Sequence, residues 1–226
     1  MTRTRAVGAV AGLALLTAVT APLWLAELPF FGIRQVELSG ARFLDPEQVL
    51  VVLEFDEEES LFSNLSEAEL RLEAMPGVVE ARVGRKLPAT VTVDIVEEIP
   101  IALASGPDGF VVLDSRARVL PYDPVGAQID LPIVARPDDR LVRTLARIRN
   151  AHSDLYSRID AIRFGDDESL VLEFPDHVVV LSVDASVVVF QRVAAVQRHL
   201  VEKTGRISGE LDARYSNWII VRSAES

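Results

Sequence analysis

The sequence predicts an α+β protein held on a single N-terminal membrane helix. Three observations carry that reading. Residues 6–26 form an uncharged apolar run directly after Arg3 and Arg5. Between residues 33 and 97 the hydrophobic pattern runs strand, helix, helix, strand, strand. From residue 100 onward, short β-rich segments alternate with two amphipathic stretches, the pattern of a mostly antiparallel sheet with helices on one face.

The apolar run is long enough to span a bilayer, at about 30 Å for a helix of this length. The two arginines place residues 1–5 on the cytoplasmic side and the rest of the chain outside. A cleaved signal peptide is the competing reading. Val19-Thr20-Ala21 offers a small-residue site, but Pro22 follows the cut and the run continues through Leu23, Trp24 and Leu25. A retained anchor fits better, with Trp24 at the outer interface. Gly8 and Gly12 have the spacing of a helix-pairing motif, but glycine is common in membrane helices and needs no such role.

Composition excludes several function classes. The 226-residue chain carries a net charge of −11, which removes the basic surface that nucleic acid requires. It has no cysteine, so thiolate zinc sites, thiol nucleophiles and disulfides are absent. A hydrophobic content of 49% is enough to build a core without staples.

Taken in order, residues 33–38 are the first strand, ended by Ser39-Gly40. Asp45-Pro46 starts a helix, with Asp at the N-cap and Pro in the first turn. Val49, Val52 and Leu53 mark its apolar face. Asp56-Glu57-Glu58-Glu59 reads as a solvated loop. Ser66 and Glu69 have capping-box spacing and open a second helix, with Leu70 and Met75 turned inward. Pro76-Gly77 stops it. Strands follow at 78–83 and 91–96, with Leu87-Pro88 in the turn. Val36, Leu38, Val83 and Val93 are the expected core of this unit.

Pro100 marks the boundary to a second unit. A hairpin is expected over 110–113 and 118–120. Asp139 is the expected cap of a helix carrying Leu141, Leu145 and Ile148 on one face. Strands follow at 159–164, 169–174 and 178–183. A helix then runs over 186–203 and ends near Gly205. Strands at 211–215 and 218–222 close the sequence.

Several local words resemble one family. Residues 31–40 (FGIRQVELSG) look like the opening of a POTRA domain, and residues 75–83 (MPGVVEARV) like its helix-to-strand corner. Residues 85–93 (RKLPATVTV) resemble its hairpin. Residues 96–102 (VEEIPIA) resemble the domain junction of the bacterial division family FtsQ/DivIB. Leu113-Asp114, Leu131-Pro132-Ile133 and residues 211–215 (LDARY) fit that family's β domain. Gly77 and Ala117 depart from the pattern, standing where the family often has an aromatic residue and a glycine. The resemblance implies a short tail (1–5), a membrane helix (6–26), a POTRA domain (31–99) and a β domain (100–226). It also implies a bitopic scaffold of the division septum in the cytoplasmic (inner) membrane. Such a scaffold binds FtsB and FtsL and regulates septal peptidoglycan synthesis without catalysing it or using a cofactor.

No catalytic or metal constellation stands out. His152, His177 and His199 are far apart and lack helical partners. Asp166 and Asp167 fit a hairpin turn better than a glycosidase pair. The candidate binding feature is the last strand. Arg214, Tyr215, Trp218, Ile219, Ile220 and Val221 lie at or beside it. At a sheet edge its open N–H and C=O groups can accept a partner's strand, which the resemblance identifies with FtsB. Arg214 either pairs with an acidic partner residue or forms a salt bridge on its own surface. Two rivals are a POTRA adaptor of outer-membrane protein assembly or secretion, and an anchored cell-wall enzyme. The first needs a barrel for which little chain remains after residue 100.

Overall fold

The computed structural model describes residues 32–55, 64–107, 109–215 and 217–222. The expected anchor at 6–26 and the acidic run at 56–59 lie outside the described residues. Among the described residues, no helix is long and apolar enough to cross a membrane. The chain divides into two compact units, one ending at Glu97 and the other beginning at Glu98.

The first unit has the expected element order. Strand β1 (Gln35–Ser39) is followed by helices α1 (Pro46–Leu53) and α2 (Ser66–Glu73), then strands β2 (Val78–Lys86) and β3 (Thr90–Glu97). The sheet order is β1-β3-β2, with β1 parallel and β2 antiparallel to β3. Alternation along β2 and β3 turns Ala81, Val83, Val91, Val93 and Ile95 into the core, while Val36 and Leu38 on β1 are half-buried. The turn after β1 needs glycine. Gly40 has φ +81, and an added Cβ there would sit 2.0 Å from the Ile95 carbonyl oxygen.

Asp45 caps α1 as the sequence indicates, its Oδ1 accepting from Glu47 N at 3.0 Å. Val49 and Leu53 are fully buried beneath it. The second helix departs from expectation in two ways. Its N-cap is Leu65, and Ser66 donates its N–H to Asn64 Oδ1 at 3.2 Å in place of acting as the cap. The Glu69 carboxylate instead accepts from Val83 N on β2 at 2.8 Å, so it ties helix to sheet and is not available for a capping box. The helix phase also differs. Ala68 and Leu72 face the core, Leu70 is 66% exposed, and Met75 is only half-buried beyond the helix end. The burial of Leu65 and Ala68, three residues apart, sets that phase. Arg71 on the same helix donates to the Val52 and Leu53 carbonyls at 3.2 and 2.5 Å, serving the C-terminal carbonyls that α1 leaves unpaired.

Among the described residues, the second unit is built on nine strands in the order β12-β11-β10-β9-β8-β7-β4-β5-β6. They are β4 (Ala102–Gly106), β5 (Gly109–Leu113), β6 (Val119–Leu120), β7 (Ile133–Val134), β8 (Ala161–Phe164), β9 (Ser169–Glu173), β10 (His177–Ser182), β11 (Gly209–Asp212) and β12 (Ile220–Arg222). Neighbours are antiparallel except β10–β11, β7–β8 and β4–β7. The sequence reading gave no element for β4, whose small residues beside Pro100 look like a linker. Main-chain bonds at both flanks make it a central strand.

Helices α3 (Asp139–Ala151), α4 (Ser153–Tyr156) and α5 (Val187–Thr204) complete this unit. Leu141, Leu145 and Ile148 are buried as expected, together with Val142. The cap of α3 is Asp138, whose Oδ1 accepts from Arg140 N at 2.9 Å. Asp139 is the first helical residue, and its carboxylate pairs with Arg143 one turn on. Phe190, Val193 and Ala194 of α5 pack into the same core as Leu170, Leu172, Val179 and Leu181 of the sheet. The helix ends at Gly205, which has φ +75 and donates its N–H to the Val201 carbonyl at 2.8 Å.

Candidate partner-binding edge

The end of the chain builds one edge of the nine-stranded sheet. Strand β11 runs parallel to β10, and Leu211 and Ala213 beside it are buried. Strand β12 then pairs antiparallel with β11, setting Glu210 opposite Arg222, Leu211 opposite Val221 and Asp212 opposite Ile220. It ends the strand order, so one of its sides is left to solvent among the described residues. Trp218 is 75% exposed, and Tyr215, Val221 and Ile220 are between 41% and 50% exposed. Ile219 instead packs against the core.

Both closing strands are shorter than the sequence reading gave. Strand β11 stops at Asp212 and β12 starts only at Ile220. Tyr215, Trp218 and Ile219 therefore lie in the connection between them. The reason is local hydrogen bonding. Ala213 N still reaches the Val180 carbonyl, but the Asp212 side chain then takes over the next main-chain N–H, that of Arg214, at 3.2 Å.

Asp212 is the residue that sequence reasoning missed. Its side chain is fully buried, and it accepts from Arg214 Nε at 2.9 Å and from the second Arg214 nitrogen at 2.7 Å. Arg222 on β12 reaches the same carboxylate at 3.4 Å and bonds Glu210 at 2.5 Å. The Arg214 hydrogen bonds hold the Asp212 carboxyl below the ordinary carboxylate range, against a smaller opposing effect of burial. The Arg214 guanidinium is thus committed to its own chain. The aspartate two residues before an arginine was the available signal, because short acidic side chains bond the backbone just ahead of them.

Of the other candidate groups, His199 is exposed on α5, and the rest are occupied structurally. Gln197 Oε1 accepts from Arg158 at 3.0 Å, which turns the amide nitrogen toward His177 Nε2 at 2.9 Å. His177 Nδ1–H then faces Asp176 at 2.5 Å, and the ring stacks on Phe174 at 4.6 Å. The hydrogen bond from His177 leads the effects that hold the Asp176 carboxyl low. His152 Nδ1 accepts from Leu155 N at 3.1 Å at the start of α4. Asp166 and Asp167 lie in the β8–β9 turn, closed by Ser169 N donating to the Asp166 carbonyl. Burial pushes the Tyr156 phenol up to about 12, and its hydroxyl donates to the Ile101 carbonyl at 2.8 Å. Among the described residues no group of acids and histidines is arranged to hold a metal.

The family model of the FtsQ-type POTRA domain matches residues 31–98. Over those residues the chain is similar to an FtsQ-type POTRA domain. The chain is also 32% identical over 102 residues to a protein named cell division protein FtsQ from Corynebacterium glutamicum. That match covers 44% of this chain and 46% of the relative, so the alignment spans about half of each protein. Both findings support the FtsQ/DivIB resemblance read from the sequence, and the α+β architecture agrees with it.

Proposed function

We propose that the chain is a bitopic scaffold of the bacterial division septum. Residues 6–26 anchor it in the cytoplasmic membrane, with residues 1–5 inside and the POTRA and β domains (31–99 and 100–226) outside. It binds FtsB and FtsL and regulates septal peptidoglycan synthesis without performing chemistry itself. One observation carries the binding part of this reading: β12 lies at a sheet edge beside exposed Trp218, Tyr215, Ile220 and Val221. An added strand would gain main-chain hydrogen bonds there, and the exposed aromatic residues would supply the side-chain anchors. The FtsQ-type POTRA match and the FtsQ-named relative support the division role.

The test is a pull-down of the extracytoplasmic segments of FtsB and FtsL by the full chain in detergent. Ile220→Pro removes an N–H and fixes φ on the edge strand. Trp218→Ala removes an exposed anchor, and truncation of such a residue costs 2 kcal/mol or more, roughly thirtyfold in affinity. Both variants are expected to bind weakly while keeping the parental circular dichroism spectrum. Parental affinity in both would remove β12 from the reading. Division itself is tested by depletion in the host, where filamentous cells are expected.

A further inference from the structure

Among the described residues, the POTRA unit has an open sheet edge of its own, on β2. This strand ends the order β1-β3-β2 and is nine residues long, with a register shift between Val78 and Glu80 that leaves 80–86 as its regular stretch. Native edge strands are usually kept short or blunted, because their outward N–H and C=O groups invite pairing. Here the outward parity is fixed by one contact. Val83 lies opposite Val93 in the ladder, and its N–H donates to the Glu69 carboxylate at 2.8 Å. Antiparallel strands alternate inward and outward pairs, so the Val83 main-chain groups face away from the sheet. Glu69 therefore plugs the outward N–H of Val83 on the open side of β2.

We propose that β2 pairs with β2 of a second copy of this chain, antiparallel and two-fold symmetric about Val83, once Glu69 swings away. The strand's own sequence is complementary in that register. Val83 meets Val83, which is the parity an outward hydrogen-bonded pair requires. Glu80 of each copy falls opposite Lys86 of the other, giving two cross-strand ion pairs. Glu80 now pairs with Arg82, and Lys86 with Glu37, in exposed contacts. Such surface pairs are weak and exchange partners at little cost. This surface is independent of β12, so failure of either proposal leaves the other standing.

The absence of cysteine makes the register directly testable. The full chain in detergent micelles, carrying Glu80→Cys and Lys86→Cys, should form a disulfide-linked dimer under mild oxidation. Glu80→Cys alone should not, because the two copies of residue 80 would lie six residues apart, about 20 Å and beyond the reach of a disulfide. Removing the plug with Glu69→Ala should tighten dimerisation about tenfold, a change of 1.4 kcal/mol, in analytical ultracentrifugation. No linked dimer from the double variant, equal linking by the single variant, or an unchanged association constant for Glu69→Ala would each overturn the proposal.

Discussion

At the residue scale, two turns show opposite solutions to one backbone demand. Gly40 meets a left-handed turn with no side chain, and the Ile95 carbonyl leaves room for none. Gly40→Ala should therefore lower stability by about 2 kcal/mol or more. Ala117 also sits at positive φ, +58, in the turn that follows Leu113-Asp114. Its carbonyl partner is Asp114, whose buried carboxylate accepts from both Arg116 N and Arg118 N and holds the turn in place. Ala117→Gly should stabilise the protein by about 1 kcal/mol, read as a higher melting temperature. That position is where the sequence departs from the family's glycine. Asp212 makes a further residue-scale prediction. Its carboxyl is held low in the folded state, so it adds stability at pH values above the ordinary Asp range of about 3.9. That stability is lost as pH falls through the lowered folded value. Asp212→Asn should flatten the fall in denaturation midpoint between pH 5 and 3. An unchanged slope would mean that Asp212 is ordinary on folding.

At the element scale, the decisive quantity is phase. On α2, Leu70 points to solvent and Leu72 is fully buried, so the two should respond differently to the same change. Leu72→Asp places a charge in the core and should unfold the POTRA unit. Leu70→Asp should alter stability by no more than about 0.5 kcal/mol. Equal effects in chemical denaturation would contradict this phase. The example also shows what the sequence conveys at this scale. The existence of α2, its stop at Pro76-Gly77 and the order of all five elements were legible from hydrophobic period and turn residues. Its phase was not, because Ser66 and Glu69 matched a capping pattern whose glutamate is recruited by a strand distant in sequence. The same limit applies at α3, where adjacent Asp138 and Asp139 compete for one cap. It applies again at β4, a small-residue strand recognisable only once its neighbours β5 and β7 are known. At the candidate site, an edge strand within 218–222 was legible, whereas its start at Ile220, the inward turn of Ile219 and the buried Asp212 were not. The importance of Asp212 lies in two arginines that converge on it, Arg214 from the β11–β12 connection and Arg222 from β12.

At the scale of the whole β unit, the two ends of the nine-stranded sheet are treated differently. Strand β6 is two residues long and runs directly into Pro121, which has no N–H to offer. Strand β12 has no such block, and its exposed Ile220 and Val221 lie beside Trp218. It is held to β11 by three residue pairs and by the Arg222 contacts with Glu210 and Asp212. Strands β9 and β10 are paired on both sides and almost fully buried. Amide hydrogen exchange should reflect this gradient, slowest in β9 and β10 and much faster in β12, where local opening exposes few buried contacts. A partner that adds a strand must satisfy the outer groups of β12 and raise the cost of that opening. Saturating the chain with the FtsB extracytoplasmic segment should therefore slow exchange in β11 and β12 while leaving β5 and β6 unchanged. Protection confined to β6, or spread evenly over the sheet, would place the partner elsewhere and leave Trp218 without a role in binding.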